Sequence, residues 1–561
     1  MLRIVFLIIG LFINQQLAQS QDPIIAQNGM VVSTSKHASN IGITILKNGG
    51  NAIDAACAVG FALAVTSSSN GNLGGGGFMV TSLDDGTVFT LDFREKAPAA
   101  AYRDMFLNDK GNVIKDMSIN TRASSGVPGS VDGLLKAWRK YGSGNISLRE
   151  LLSPSITLAE RGFKLSLYEA QRLNAFKELF SKNEAAARIF IRSDNKQWKK
   201  GDRLVQKDLG KTLKRISRYG RDGFYSGKTA DLIILEMNKG VGLIDHKDLK
   251  EYESKFREPV SGTFKQYEII SMGPPSSGGI ILIEMLNMLE LFPLNDFMWN
   301  SANYIHLLTE VQRRAYADRA EHLGDTDFWS SPTDILLRKS YAKNRIKDFS
   351  PNKASPSNQI FAGNPYNYES SETTHYSVID KYGNAVSVTT TINLEYGNGI
   401  IVDGAGFFLN NEMDDFSSKP GAPNSFGLVG NDANSIEAGK RPLSSMTPTI
   451  VLKNKRPFII LGSPGGSRII TSVLQTLLNI TIHNMSIKEA ISLPRVHSQW
   501  LPDVIYFEEN SLKDNAKRLL IDNGHTLFPY SNIGNVNAIL INENRYTGYG
   551  DPRSENTASG Y

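Results

Sequence analysis

The chain has 561 residues, of which 41% are hydrophobic and 21% are charged, as in an ordinary globular protein and unlike a disordered or fibrous one. Its 61 basic and 56 acidic residues leave a formal charge of +5 and are spread along the chain without a run of like charge, so no nucleic-acid-binding surface is indicated. Beyond the N-terminus, no segment has the roughly 20 apolar residues that a membrane-spanning helix requires.

The N-terminus is typical of a secretory signal peptide. Arg3 supplies positive charge, residues 4–13 are apolar, and Ala18-Gln19-Ser20 resembles a cleavage site. The alternative is an N-terminal membrane anchor, although the apolar segment is short for a span. We expect residues 1–20 to be removed and the mature protein to be secreted or periplasmic.

Two helices are predicted over residues 38–66, separated by Asn48-Gly49-Gly50, because glycine favours the backbone conformation that ends a helix. The second, residues 52–65, is apolar nearly all round and is expected in the interior. It contains Cys57, the only cysteine, so no intrachain disulfide is possible. We interpret Cys57 as a buried small hydrophobic residue; a catalytic thiol is the alternative.

Four consecutive glycines at 74–77 precede an alternating, strand-like segment at 78–83. Glycine lets the backbone approach another group closely. A phosphate-binding loop is the alternative, although the Gly-Lys-Ser/Thr of such loops does not follow.

Residues 130–350 are mostly helical in pattern, interrupted by a strand-like segment at 267–271 and the Gly/Pro/Ser-rich segment at 273–279.

The pattern changes at about residue 351. Residues 351–372 are polar, contain three prolines and are typical of an exposed segment open to proteases. Two alternating, β-branched runs follow over residues 373–393, and the turn residues between them predict a hairpin. If the turn centres on Tyr382, Thr373 lies opposite Thr391 with both side chains on one face, whereas a shift of one residue would separate them.

Thr373 stands where the polar segment meets the first strand, and a threonine there permits self-cleavage. Its hydroxyl can attack the preceding carbonyl and convert the peptide bond to an ester, which water hydrolyses. The released α-amine has an ordinary pKa of about 7.7–8.0 and can act as the base for its own hydroxyl. The alternative is an ordinary strand residue, since threonine is common in strands.

Nine short motifs occur in order along the chain: GGNAIDAA at 49–56, GNLGGGGF at 71–78, LDFREKAP at 91–98, PPSSGG at 274–279, YADR at 316–319, TTHYSV at 373–378, NNEMDDF at 410–416, RPLSSM at 441–446 and GSPGGSR at 462–468. Together they resemble the motifs of the γ-glutamyltranspeptidases, members of the N-terminal-nucleophile hydrolases, over essentially the whole mature chain.

The resemblance implies a mixed α/β (α+β) fold, a four-layer αββα sandwich of the N-terminal-nucleophile hydrolase type. Cleavage of the Glu372–Thr373 bond would give a large subunit, residues 21–372, and a small catalytic subunit, residues 373–561. The two fragments are expected to stay associated because their strands share two sheets.

The resemblance also implies a γ-glutamyltransferase and glutathione hydrolase. Thr373 would attack the γ-glutamyl amide of glutathione or another γ-glutamyl compound, and the acyl group would pass to water or to an amino-acid or dipeptide acceptor. Thr391 would orient the nucleophile, and the backbone amides of Gly465 and Gly466 would form the oxyanion hole. No cofactor or metal is expected, and the eight histidines show no ligand-like spacing.

Substrate binding is expected to pair both charges at the free α-amino-acid end of the glutamyl donor, a carboxylate and an ammonium. By resemblance, Arg94 would bind the α-carboxylate with Ser444 and Ser445. Asn393, Glu412 and Asp415 would receive the α-ammonium. Taken singly, these features have simpler interpretations: a surface ion pair for Arg94, a solvated acidic loop for residues 412–415 and an ordinary turn at the Pro-Gly-Gly of residues 464–466.

Residues 420–430 resemble the lid loop of bacterial members, with Phe426 where tyrosine is usual, so a lid hydrogen bond from that hydroxyl is lost. Arg468 and Arg495 match arginines of the family and are expected to form stabilising pairs. Two alternative functions remain: a related N-terminal-nucleophile acylase, such as a cephalosporin-acylase-like amidase, and an uncleaved binding protein that keeps only the fold.

Overall fold

A computed structural model describes residues 22–363, 374–419, 422–425, 428, 432–543 and 545–561. The expected signal peptide, the Glu372–Thr373 bond and the lid residue Phe426 lie outside the described residues. Within these ranges no helix combines the length and the apolar character needed to cross a membrane.

The α-helices of the described residues are α1 (Lys36–Lys47), α2 (Ala52–Thr66), α3 (Met117–Asn120), α4 (Ser130–Tyr141), α5 (Leu148–Arg161), α6 (Leu167–Ala175), α7 (Lys177–Ser181), α8 (Glu184–Phe190), α9 (Lys207–Tyr219), α10 (Asp222–Tyr225), α11 (Gly227–Met237), α12 (His246–Glu251), α13 (Gly278–Leu289), α14 (Ala302–His322), α15 (Thr333–Leu336), α16 (Lys339–Arg345), α17 (Arg468–Thr481), α18 (Ile487–Ser492) and α19 (Asp514–Asp522).

The strands of the described residues are β1 (Ile24–Ala26), β2 (Gly29–Ser33), β3 (Gly76–Ser82), β4 (Val88–Asp92), β5 (Phe163–Lys164), β6 (Arg203–Leu204), β7 (Lys255–Arg257), β8 (Val260–Phe264), β9 (Tyr267–Ser271), β10 (Thr374–Asp380), β11 (Ala385–Thr391), β12 (Thr449–Lys453), β13 (Arg456–Gly462), β14 (Val496–His497), β15 (Ile505–Phe507), β16 (Leu527–Pro529), β17 (Asn537–Asn542), β18 (Arg545–Gly550) and β19 (Thr557–Gly560).

Two large antiparallel sheets form the centre of the molecule. Sheet I has the strand order β19-β2-β10-β11-β3-β4-β7, and sheet II has the order β1-β18-β17-β13-β12-β9-β8. Each sheet contains strands from both sides of residue 373. The expectation that the two parts share both sheets therefore agrees with the topology.

Three hydrophobic clusters establish the order of the layers. The first packs α2 against one face of sheet I, through residues such as Met79 and Tyr376. The second lies between the two sheets and includes Phe78 and Ile460. The third packs α13, α14 and α17 against the outer face of sheet II, around Val451. The expected four-layer αββα sandwich is confirmed, because alternate residues of each strand point to different layers.

Helix α2 is fixed at its start by local hydrogen bonds and buried by its composition. The Asn51 side chain accepts hydrogen bonds from the amides of Ile53 and Asp54, and the Asp54 carboxylate accepts one from the Asn51 amide. This capping arrangement satisfies donors that a helix start leaves open. All residues of α2 are buried, as predicted.

Cys57 donates its thiol proton to the Leu134 carbonyl (3.1 Å), and burial raises the pKa of the thiol, which argues against a nucleophilic role.

The hairpin has the predicted register. In β10 and β11, Thr374 pairs with Thr390 and Val378 pairs with Val386, which is the register of a turn centred on Tyr382. The turn is held by Asp380, whose carboxylate accepts hydrogen bonds from the amides of Tyr382 (2.9 Å) and Gly383 (3.1 Å). The predicted strand after the glycine run is also present as β3, which begins within the run.

The segment before the hairpin agrees only in part with the prediction. About half of residues 351–363 are exposed, as expected. Ser357 and Ile360 are buried, and their carbonyls accept hydrogen bonds from the Trp500 indole. Gly363 is held by Asp318, which accepts from its amide (2.6 Å), and by His322, whose ring lies 2.6 Å from its carbonyl oxygen. Composition alone missed this packing because the partners come from α14 and from a distant loop.

Candidate active site

A buried ion-pair cluster forms where β4 ends. Arg94 follows β4, and Glu412 and Asp415 lie in a 3₁₀ turn, residues 412–415. The Arg94 guanidinium donates to both carboxylates, and the three side chains are 0% exposed. Glu95 lies 3.6 Å from the same guanidinium. We call these four residues the Arg94 cluster. Its burial contradicts the simpler interpretations of a surface ion pair and a solvated acidic loop.

Backbone carbonyls fix the orientation of Arg94. Its Nε donates to the Pro442 carbonyl (3.2 Å) and its Nη2 to the Leu443 carbonyl (3.4 Å). These carbonyls directly precede Ser444, so the guanidinium is tied to the segment that carries the serine pair. Because a guanidinium is planar with donors in fixed directions, these contacts determine the direction of its other N–H groups.

Glu95 is a member of the cluster that the sequence analysis did not identify. Its side chain is fully buried, and within the described residues neither of its oxygens has a hydrogen-bond partner. Burial raises the pKa of Glu95 well above its ordinary value, and the charge of Glu412 raises it further, whereas Arg94 lowers it. Its place beside Arg94 in the LDFREKAP motif was the available signal, but nothing in the sequence indicated that it is buried.

Three further acceptors at the site lack partners. Within the described residues, Oε2 of Glu412, Oδ1 of Asp415 and Oδ1 of Asn393 are buried without a hydrogen bond. Each such group costs on the order of 1–3 kcal/mol when it is left unsatisfied. Burial also raises the pKa of both carboxyl groups, while Arg94 lowers it. The arrangement suits a cationic group with several donors, such as an ammonium.

Asn393 is placed beside the Arg94 cluster by its own hydrogen bonds. Its Nδ2 donates to the carbonyl of Asn411, the residue before Glu412, at 2.9 Å. Its amide donates to Oγ1 of Thr391 (2.7 Å), and its φ of +67° is in the left-handed region. Asparagine tolerates this conformation better than most residues. Asn393 therefore joins the end of the hairpin to the acidic turn.

Thr391 is buried at the end of β11. Its carbonyl accepts a hydrogen bond from Nδ2 of Asn72 (2.7 Å), which belongs to the GNLGGGGF motif. A Cβ on Gly75 would lie 2.0 Å from that same carbonyl oxygen, so only glycine fits. The close approach predicted for the glycine run is confirmed, and the group approached is the chain's own backbone.

Ser444 and Ser445 are buried in a loop that two other motifs hold. The Ser444 amide donates to the Pro275 carbonyl (2.8 Å), and its carbonyl accepts from the Ser277 amide (2.7 Å). Oγ of Ser445 accepts a hydrogen bond from Nη2 of Arg319 at 2.7 Å. The PPSSGG and YADR motifs therefore position the serine pair, a role that the sequence analysis had not assigned.

Gly465 and Gly466 connect β13 to α17. Their φ angles of +133° and +63° lie in the region that favours glycine. Within the described residues neither amide donates a hydrogen bond to a protein acceptor, as an oxyanion hole requires. The end of β13 lies over β10, because a Cβ on Gly462 would be 2.4 Å from the His375 ring. The loop that carries the glycine pair therefore begins beside the first strand of the hairpin, two residues beyond Thr373 in the sequence.

The lid is only partly described, and Phe426 is not included. The preceding residue, Ser425, donates its amide to the carboxylate of Asp414 at 3.2 Å. The same carboxylate accepts a hydrogen bond from the Ser118 hydroxyl (2.6 Å). The lid segment is thus tied to the acidic turn that carries Glu412 and Asp415.

Arg495 forms the stabilising pair that was expected. It donates to Asp551 (2.8 Å) and to the Ile491 and Ile533 carbonyls. Arg468 packs its guanidinium over the Tyr530 ring at 5.0 Å. Both arginines contact structural groups rather than the Arg94 cluster.

Two histidines that are far apart in the sequence are in contact in the structure. Nδ1 of His306 and Nε2 of His525 are 2.7 Å apart, and Glu310 completes a buried group of potential metal ligands. The Glu310 carboxylate already accepts hydrogen bonds from Arg313 and Arg314. A cation would have to compete with both guanidinium groups, so the geometry favours a hydrogen-bonded histidine pair beside an ion pair.

Comparisons with known proteins identify the family of the chain. Residues 38–561 match the family described as Gamma-glutamyltranspeptidase. The chain is 45% identical over 542 residues to the glutathione hydrolase proenzyme of Escherichia coli K12, with 96% of this chain and 93% of the relative covered.

Two solved structures resemble the fold. A chain of the Helicobacter pylori gamma-glutamyltranspeptidase crystal structure is 44% identical with a TM-score of 0.58, covering 59% of this chain and 94% of that one. The cephalosporin acylase of Bacillus halodurans superposes with a TM-score of 0.85, covering 96% of this chain and 97% of that one, but at 22% identity it shows the fold alone.

The family match spans the hairpin, the Arg94 cluster, the serine pair and the glycine pair, which are the elements that the geometry brings to one end of the sheets. With nearly all of its length matched and close relatives that are glutathione hydrolase proenzymes, the chain belongs to the γ-glutamyltranspeptidase family.

Proposed function

We propose that the chain is a γ-glutamyltransferase and glutathione hydrolase that cleaves itself at Glu372–Thr373 and then uses Thr373 as its nucleophile. The observation that supports this most strongly is the Arg94 cluster, in which a buried guanidinium and buried, partly unsatisfied carboxylates provide complementary charges for the α-amino-acid end of a γ-glutamyl donor. The donor would be glutathione or another γ-glutamyl compound.

Acyl transfer would begin with the freed α-amine of Thr373 taking the proton of its own hydroxyl. An ordinary α-amine pKa of about 7.7–8.0 suits this role near neutral pH. The oxygen then attacks the γ-carbonyl, and the released amine leaves with a proton. Water or an amino-acid or dipeptide acceptor subsequently attacks the ester carbon and restores the hydroxyl.

Two elements support stabilisation of that reaction. The amides of Gly465 and Gly466 would bind the oxyanion, and one such donor is worth about 3–4 kcal/mol in comparable enzymes. Thr391 would orient the nucleophile from the facing strand. The described register supports this, since the next pair beyond Thr374 and Thr390 would be Thr373 and Thr391.

Donor binding would rearrange the contacts of the Arg94 cluster. Arg94, with Ser444 and Ser445, would take the α-carboxylate, and Glu412, Asp415 and Asn393 would take the α-ammonium. In the structure the Arg94 guanidinium contacts the carboxylates of Glu412 and Asp415. The donor's α-carboxylate would replace these carboxylates beside the guanidinium, and its α-ammonium would replace the guanidinium beside the carboxylates.

Processing and export complete the proposal. Residues 1–20 would be removed as a signal peptide, placing the protein outside the cytoplasm, either secreted or periplasmic. Cleavage would leave subunits of residues 21–372 and 373–561. Their association is supported by sheet I, in which β10 and β11 from the second part lie between β2 and β3 from the first.

The test is mass spectrometry of purified wild-type, Thr373→Ala and Thr373→Ser proteins, combined with an activity assay. We expect the wild type and the serine variant to yield a small subunit beginning at residue 373, and the alanine variant to remain a single chain. A cleaved and active alanine variant would refute the assignment.

Substrate choice separates the two enzymatic alternatives. The Arg94 cluster supports hydrolysis of γ-glutamyl-p-nitroanilide in preference to glutaryl-p-nitroanilide, which lacks the α-ammonium. A preference for the glutaryl compound would instead support a cephalosporin-acylase-like amidase. A chain that remains uncleaved and inactive would support the binding-protein alternative.

A further inference from the structure

Asn537 links the two sheets beside the proposed reaction centre. It is the first residue of β17 and is fully buried. Its backbone pairs with Gly462, the last residue of β13, three residues before Gly465. Its side chain reaches the other sheet, where Nδ2 donates a hydrogen bond to the carbonyl of His375 in β10 (2.9 Å). Asn537 therefore connects the strand that leads into the glycine loop with the strand that follows Thr373.

The start of β10 needs such a contact because few strands support it. Among the described residues, β11 pairs with β10 from Thr374 onwards, whereas β2 pairs with it from Ser377 to Asp380. His375 lies in the part that β2 does not reach. A buried backbone carbonyl without a partner is costly, so the Asn537 amide takes the place of a neighbouring strand at this point.

The orientation of the Asn537 amide follows from its neighbours. Its Nδ2 also donates to Oδ1 of Asn556 (3.1 Å). Nδ2 of Asn556 in turn donates to the Asp551 carbonyl (2.8 Å) and to Oδ1 of Asn535. Because the His375 carbonyl can only accept, turning the Asn537 amide over would place its oxygen against two acceptors. The NH₂ group is therefore fixed towards His375.

The same group of asparagines contacts the glycine loop at a second point. The Asn535 amide donates to Oγ of Ser463 (2.8 Å), and the Ser463 hydroxyl donates to the Pro464 carbonyl (2.6 Å). A Cβ added to Gly465 would lie 3.3 Å from Cα of Gly534. The segment before β17 therefore packs on the loop that carries the proposed oxyanion amides.

Acyl transfer requires the nucleophile and the oxyanion amides to keep a close spacing. Oxyanion donors act at about 2.7–3.1 Å, and a displacement of about 1 Å costs on the order of a hundredfold in rate. By strand alternation, we expect the Thr373 side chain on the face of β10 that carries the His375 ring. That ring lies against the end of β13, since a Cβ on Gly462 would be 2.4 Å from it. A shift of β10 relative to β13 would thus move the nucleophile relative to the amides.

We propose that Asn537 is a positioning residue for self-cleavage and acyl transfer, which holds the strand of the nucleophile at a fixed distance from the oxyanion loop. The inference rests on the proposed function and extends it to a residue outside the nine sequence motifs. Asn537 acts through His375 and Gly462. The Arg94 cluster lies on other elements, at the end of β4 and in the acidic turn. Loss of the Asn537 donor should therefore lower kcat and leave the KM for the donor unchanged.

Asn287 in α13 is a matched control. Its side chain is 2% exposed, and its Nδ2 donates to the Leu337 carbonyl (3.0 Å). Within the described residues, Oδ1 is buried without a hydrogen-bond partner in both Asn287 and Asn537. Helix α13 covers the outer face of sheet II, whereas the contact with His375 lies between the two sheets. The two asparagines therefore share their local chemistry but not their position.

The experiment makes the same two changes at each position: Asn537→Ala, Asn537→Leu, Asn287→Ala and Asn287→Leu. Leucine keeps the branched shape and close to the volume of asparagine without its donor. Three quantities are measured for each variant: the rate at which a small subunit beginning at residue 373 appears, kcat and KM of the processed enzyme for γ-glutamyl-p-nitroanilide hydrolysis, and the unfolding temperature.

We expect both Asn537 variants to process at least about tenfold more slowly and to have a kcat at least about tenfold lower, with KM changed less than about twofold. Both Asn287 variants should change processing and kcat less than about twofold, even where their unfolding temperature falls. If Asn537→Ala unfolds below the assay temperature, the volume-conserving Asn537→Leu variant decides the result.

Wild-type processing and kcat in folded Asn537→Leu would overturn the positioning role while leaving the proposed function intact. Equal losses in Asn287→Leu, or a rise in KM as large as the fall in kcat, would overturn it as well. Absence of hydrolysis in the wild-type protein would contradict the proposed function itself, and the positioning role with it.

Discussion

Thr374 pairs with Thr390 across the first hairpin of the second half of the chain. If this register continues by one residue beyond the described part of β10, we expect Thr373 to pair with Thr391. A strand pair with this register places both side chains on one face. A shift of one residue would remove the expected pairing between the candidate nucleophile and the threonine expected to orient it.

Removal of the Thr391 hydroxyl should slow both self-cleavage and turnover. In Thr391→Ala, the Asn393 amide loses the acceptor that it contacts at 2.7 Å, and the proposed partner of the nucleophile is lost. We expect at least a tenfold slower appearance of the small subunit on denaturing gels, which corresponds to about 1.4 kcal/mol. Thr391→Ser keeps the hydroxyl and should process at close to the wild-type rate; equal slowing in both variants would indicate loss of packing instead.

Asp415→Asn should weaken donor binding while processing continues. The change removes one of the negative charges facing Arg94 and the proposed ammonium, and a hydrogen bond to a charged group is worth about 1.5–3 kcal/mol. We expect kcat/KM for γ-glutamyl-p-nitroanilide to fall by about 10- to 100-fold.

Asp414→Asn is the control for this change, because the neighbouring carboxylate contacts Ser118 and Ser425 and not Arg94. It should alter kcat/KM much less than Asp415→Asn. Equal losses in the two variants would mean that the effect comes from distortion of the acidic turn.

Gly465→Ala should reduce kcat by more than its effect on stability explains. With φ at +133°, alanine is strained, and the amide proposed to bind the oxyanion would shift. We expect kcat for the γ-glutamyl donor to fall at least tenfold with a smaller change in KM.

Gly383→Ala is the matched control. Gly383 lies in the hairpin turn at φ +97°, and nothing lies within 4 Å of a Cβ added to it. Both variants should lower the unfolding temperature, since each forces a side chain into a region that favours glycine. If kcat falls equally in both, the role of the Gly465 amide is not supported.

His375 should make the folded protein sensitive to acid. Burial lowers the pKa of His375 to about 3, from an unfolded value of about 6.5. Between these values the unfolded state binds one more proton, so the free energy of unfolding decreases as the pH falls from about 6.5 towards 3, by up to about 1.4 kcal/mol per pH unit from this residue. Above pH 6.5 the contribution is complete and constant.

Denaturant unfolding of the uncleaved Thr373→Ala chain at several pH values measures this slope without subunit dissociation. Adding His375→Gln removes the titrating group while keeping an amide that can contact the Ser377 and Thr389 hydroxyls. We expect the slope of the free energy of unfolding against pH, between pH 6.5 and 4, to decrease by the equivalent of about one bound proton relative to the chain that keeps His375. An unchanged slope would show that His375 does not titrate in this way.

The amino-acid sequence determined the local elements and the hairpin register. Alternating β-branched runs around a turn specify which residues pair, because side chains in strands alternate between two faces. The apolar character of α2 similarly specified its burial. The motifs also indicated the family, and with it the residues expected at the site.

Only the tertiary structure brought Arg94 onto Glu412 and Asp415, buried Glu95 beside them, and tied Gly363 to α14. These contacts join residues that are far apart in the chain, and they depend on how the four layers stack. Local patterns carry the periodicity of each element but not its neighbours, and the burial that changes the pKa of Glu95 arises only when those neighbours exclude water.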